Sequence, residues 1–195
     1  MRNRLLYCQL AGFIFTAIAG TLLHFLYDWS NHNVFVAPFS AVNESIWEHM
    51  KLLFVPMFTF ALIERQFIGA QYENFWCVKL VGILFGIIMI PVLYYTYTGI
   101  YGMSKDWINI IIFFVVAAAT YLLEMRLFKK DNIFCITPLL ALLILCLLAL
   151  TFVVFTFIPP EIPLFEASHP VSSLSLTFSL SLSQFFLQPI QFIRL

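Results

Sequence analysis

Apolar residues run through this chain in five long blocks, at about 5–27, 46–67, 76–97, 107–127 and 133–157, with short polar breaks between them. A helix needs roughly 20 apolar residues to cross the hydrocarbon layer of a bilayer, and each block reaches that length. None of the five alternates apolar and polar positions with the period of a strand. A helix also satisfies its own backbone in lipid, where an open strand cannot. The pattern predicts an all-α fold, an integral membrane bundle of about five transmembrane helices. The breaks are short apart from 28–45, and that length marks the loop for function rather than linkage.

Within the blocks, the small and polar positions predict how the helices meet. Gly12, Thr16, Gly20, His24 and Asp28 recur at four-residue intervals in the first block. They form one slanting ridge, small at its base and ionisable at its top. Gly82 and Gly86 make a small-xxx-small pair in the third block. Pro56 and Pro91 each remove a backbone hydrogen bond from a helix, as a tolerated kink or as a bend that opens a cavity.

Composition agrees with the lipid setting. The chain is 62% hydrophobic and only 10% charged, against about 25% charged in soluble domains. The formal net charge of zero leaves no basic patch of the kind nucleic acid requires. The first block is longer than the roughly 7–15 apolar residues of a signal peptide, so it reads as a retained helix. Basic residues favour a cytoplasmic N-terminus: Arg2, Arg4, Arg65, Lys79, Arg126, Lys129 and Lys130 against Lys51, Lys105 and Arg194. Cys8, Cys77, Cys135 and Cys146 lack metal-ligand spacing and read as packing residues. Residues 1–157 are thus the transmembrane domain. Residues 158–195 are an atypical extracytoplasmic tail, expected to be poorly ordered, with a sixth span over 174–193 as the alternative.

One segment breaks the apolar pattern. "SAVNESIWEHMK" (40–51) places Asn43, Glu44, Glu48, His49 and Lys51 at the mouth of the second block. At about 1.5 Å per residue, Lys51 lies roughly 20 Å and Glu48 roughly 24 Å above Glu64, below the outer edge of a layer about 30 Å thick. Glu44, Glu48 and Lys51 share one face if the helix includes all three, with His49 about 100° away. His24 and Asp28, at the top of the first helix, stand at a similar depth. Ionisable groups within a membrane are costly and commonly functional. Structural readings compete: "SIWE" is a capping box in which Ser45 caps and Glu48 reaches back, the acids suit a helix dipole, and Glu44 or Glu48 with Lys51 is an ordinary ion pair. Trp29, Trp47, Trp107 and the tyrosines of 94–102 read as an aromatic belt.

If the cluster is a site, its chemistry allows three uses. His24, Glu48 and His49 suit a divalent metal such as zinc. Glu48 or His49 suits a general base. The whole group, His24, Asp28, Asn43, Glu44, Glu48, His49 and Lys51, suits binding of a proton, cation or small solute.

The strings "LLHFLYDWS", "FSAVNESIWEHMKLLFVPM", "YYTYTGIYG" and "FIPPEIPLF" together resemble an uncharacterised family of small prokaryotic multi-pass membrane proteins, over about residues 5–165. The NESxWEHxK string is the most specific part. The resemblance implies a multi-span fold in a cytoplasmic (inner) membrane. It also implies that His24, Asn43, Glu44, Ser45, Trp47, Glu48, His49 and Lys51 belong to the family motif. The family brings no activity with it, and the chain departs from its pattern after Phe165. A fainter similarity of "NESIWEH" to the seven-span progestin and adiponectin type receptors lacks their late His-x-x-x-His. The expected function is small-solute or cation binding or transport through an outward-facing cluster between helices 1 and 2, with the lipid bilayer as partner and no nucleic acid. A membrane-embedded metal-dependent hydrolase and a structural or accessory subunit are the alternatives.

Overall fold

A computed structural model describes residues 2–130 and 137–167. Five helices carry the fold: α1 (Arg2–Trp29), α2 (Ile46–Ile68), α3 (Phe75–Tyr101), α4 (Asp106–Leu127) and α5 (Pro138–Phe157). Each is long and apolar enough to cross a membrane, as the block pattern predicts. No strand occurs among the described residues. α2 starts where Ser45 caps it, its side chain accepting from Glu48 N. α3 stops at Gly102, which takes the left-handed conformation at φ 72°. α2 and α3 run through Pro56 and Pro91 as single helices.

Helices α1 to α4 pack in sequence order, α4 closes onto α1, and α5 lies outside against α3 and α2. Burial follows this arrangement: 56% of the α3 span and 50% of the α2 span are enclosed, but only 17% of α5. A polar group on the enclosed faces of α2 or α3 is therefore shut away from both lipid and water. The ridge on α1 does form a packing face. A Cβ on Gly12 would stand 2.5 Å from the Tyr121 ring, and one on Gly20 would stand 2.5 Å from the Phe113 ring. Between them Thr16 shares a hydrogen bond of 2.8 Å with the Tyr121 hydroxyl. The ridge loses its partners at the top, where Asp28 is exposed.

Several expectations change. Trp47 is no part of an aromatic belt: it is 7% exposed, stacked on Phe165 at 4.7 Å and close to Phe152 at 4.6 Å. Trp29 and Trp107 do face outward. Of the segment read as a poorly ordered tail, residues 158–167 turn back over the start of α2, with a bridge between Ser45 and Ala167. Residues 168–195, with the sixth-span alternative, lie outside the described residues. Lys79 and Lys51 are fully enclosed side chains of α3 and α2, so each end of the bundle loses one basic vote on orientation. Cys8 and Cys146 are free thiols, whereas Cys77 is disulfide-bonded and so does more than pack; Cys135 lies outside the described residues.

Candidate functional site

The loop of 30–45 sets the geometry of the site. Asn31 and His32 take left-handed conformations, φ 54° and 59°, and turn the chain sharply after α1. Ser40 then inserts into the last turn of α1: Tyr27 N donates to its hydroxyl at 2.9 Å, and the hydroxyl donates to Leu23 O. A side chain placed in the ladder of a helix fixes the loop to it. Asn43 accepts from Ser45 N at 2.9 Å, forming the turn that leads into the Ser45 cap. Glu48 reaches back past the cap to Val42 N at 3.1 Å, so only the Ser45 half of the expected capping box forms.

This turn corrects the helical grouping of Glu44 with Glu48 and Lys51. Glu44 precedes the cap and is not on α2, so its carboxylate points elsewhere. Its Oε1 lies 3.6 Å from His24 Nε2 and its Oε2 lies 3.7 Å from His49 Nε2. The two imidazole rings are 5.8 Å apart between centroids. Glu44 is half exposed, and the histidines less so, at 28% and 17% of their side chains. His49 Nδ1 is 2.8 Å from Ser45 O. A carbonyl only accepts, so that nitrogen holds the proton and Nε2 of the neutral ring offers a lone pair toward Glu44. Beside His49 lies a cavity of about 10 Å³, room for about one water, lined by Ile46, Tyr94, Asn109 and Phe113 among others. Asp106, at the start of α4, brings a further negative charge within electrostatic reach of His49.

Glu48 and Lys51 form a separate, closed group. Lys51 Nζ is 2.6 Å from Glu48 Oε2 and donates to Ala37 O and Thr156 Oγ1, each at 2.9 Å. All three donors of the ammonium are used, and the pair ties the loop and α5 to α2. Asp28 goes elsewhere as well, pairing with His32 at 3.3 Å on the surface. Of the seven residues predicted, His24, Glu44 and His49 converge, Asn43, Glu48 and Lys51 hold the surrounding chain, and Asp28 stands apart. Among the described residues no three His, Cys, Asp or Glu side chains are arranged to hold a metal ion.

A further set of buried polar residues was not singled out as a site by sequence reasoning. Gln9, Glu64, Lys79 and Glu124 meet at the opposite end of the bundle. The available signal was Lys79 itself, a lysine one turn into an otherwise apolar helix.

Five apolar helices around buried ion pairs, with one polar site at a helix-end loop, define an integral membrane bundle. Residues 5–171 match the model of a family of unknown function, DUF6512, and the chain belongs to that family. No curated protein and no solved structure matches it.

Proposed function

We propose that the protein binds a small non-metal cation, a proton or ammonium, at the membrane surface through His24, Glu44 and His49, as the binding step of a transport or sensing function. One observation carries the reading: a single carboxylate stands between two imidazoles, each oxygen facing one Nε2 at 3.6 and 3.7 Å. These separations are too long for hydrogen bonds and invite a bridging species. In the neutral state of His49 a nitrogen lone pair faces a carboxylate oxygen, which is repulsive. A cation between them turns that repulsion into attraction. The hydrolase alternative needs three metal ligands, a set the described residues do not offer. The basic residues Arg4, Arg65, Arg126, Lys129 and Lys130, at the end away from this site, support a cytoplasmic N-terminus in a prokaryotic inner membrane and an outward-facing site.

The test is thermal unfolding of the purified protein in detergent, with sodium, potassium and ammonium titrated at several pH values. The wild type is expected to gain stability with acidification or with ammonium, and not with sodium or potassium. Glu44→Gln and His49→Gln are expected to lose that gain. An equal response in wild type and Glu44→Gln overturns the proposal.

A further inference from the structure

At the end of the bundle away from the His24–Glu44–His49 site, α1 to α4 each send one polar side chain to a common point. Gln9, Glu64, Lys79 and Glu124 are all at most 3% exposed. Lys79 Nζ lies 2.6 Å from Glu124 Oε2 and is ion-paired with Glu64 Oε2. Gln9 Nε2 donates to Glu64 Oε1 at 2.8 Å. The rings of Tyr121, Phe75 and Phe128 surround the ammonium at 5.5 to 5.8 Å. The other ionisable groups around the cluster are Cys8 of α1, Tyr121 of α4, whose hydroxyl is bonded to Thr16, and Arg4 and Arg65, both of which are exposed. α5 carries no charged residue.

The charges here do not cancel. Two carboxylates face one ammonium, which leaves one negative charge enclosed by apolar side chains, where an uncompensated charge is very costly. The oxygens do not balance either. Both oxygens of Glu64 are engaged, one by Gln9 and one by Lys79. Glu124 Oε1 and Gln9 Oε1 are buried with no donor. On the far side of Glu124 stands Gly82, where a Cβ would lie 2.5 Å from Glu124 Oε1, so that wall is bare backbone with nothing to donate.

We propose that Glu124 holds an exchangeable proton on Oε1, making the Gln9–Glu64–Lys79–Glu124 cluster a proton-binding site inside the membrane-spanning bundle. One proton removes both imbalances. It cancels the excess charge, and it converts an acceptor without a donor into a hydroxyl that can itself donate, in a cluster where Gln9 Oε1 is also buried without a donor. The site uses none of the residues of the His24–Glu44–His49 group and stands or falls independently of it.

Infrared spectroscopy of the purified full-length protein at neutral pH tests this, because a protonated carboxyl has a carbonyl stretch that a carboxylate lacks. The wild type is expected to show that band, shifted in heavy water. Glu124→Gln is expected to lose it, while Glu48→Gln and Glu44→Gln keep it. Gln9→Leu, which removes the amide that holds Glu64 in the cluster, is expected to shift its frequency, and it serves if Glu124→Gln does not fold. Absence of the band in the wild type, its survival in Glu124→Gln, an unshifted band in Gln9→Leu, or its disappearance on adding sodium each overturns the proposal.

Discussion

Lys51 and Glu48 stand one helical turn apart on α2 with their charged atoms at 2.6 Å, and neither side chain is more than 3% exposed. Removing one partner of such a pair leaves the other charged, buried and unpaired. Lys51→Met is expected to cost about 3–5 kcal/mol. The double substitution Glu48→Leu with Lys51→Met removes both charges together and is expected to recover most of that loss. Equilibrium unfolding of the two single variants and the double variant measures the coupling.

Glu44 differs from Glu48 despite lying four residues away. Its side chain is half exposed, and it precedes the Ser45 cap rather than lying on α2. Glu44→Gln is expected to change stability by less than about 0.5 kcal/mol, yet to abolish the response to cations. Glu48→Gln is expected to do the reverse, lowering stability and leaving the cation response of the folded fraction intact. Denaturant titration with and without the ion separates the two effects.

The glycines of α1 and α3 give a matched comparison. A Cβ on Gly20 would meet the Phe113 ring at 2.5 Å and the Leu52 carbonyl at 3.1 Å, and a backbone atom cannot swing aside. Gly20→Ala is expected to destabilise by about 1–3 kcal/mol through overpacking. Gly99 in α3 has nothing within 4 Å of the added atom. Gly99→Ala is expected to be neutral or to stabilise by up to about 1 kcal/mol, since alanine favours the helix. Thermal unfolding of both variants in one detergent reads the difference.

Ser45 links the fold to the site. Its hydroxyl caps α2, and its carbonyl fixes the tautomer of His49. Ser45→Ala is expected to cost about 1 kcal/mol for the lost cap. Because the carbonyl remains, the His49 ring keeps its hydrogen bond, and nitrogen-15 spectra of the imidazole are expected to show the same tautomer as in the wild type.

The five spans were legible from the sequence because lipid imposes a length and a composition on any segment that crosses it. The packing ridge was legible too: a four-residue repeat of small residues at Gly12, Thr16 and Gly20 has few uses in a membrane helix other than close approach. The importance of "NESIWEH" could be seen, since charges at the mouth of an apolar run are costly wherever they point. Their grouping could not. Helical spacing puts Glu44 on the face of Glu48 and Lys51, but the helix begins only after Ser45, and the Asn43 turn before it swings Glu44 toward two histidines, one of them twenty residues earlier in the chain. Lys51 was settled by Ala37 and Thr156, on a loop and on α5. Lys79 counts by sequence only as a basic residue of the cytoplasmic side, and its partners Glu64 and Glu124 come from two other helices. The sequence by itself determined the segments that enter the bilayer and one face on which α1 packs, because hydropathy and residue size act locally. Only the tertiary structure decided which charges pair, because a buried charge takes whatever partner the packing of distant helices brings within reach.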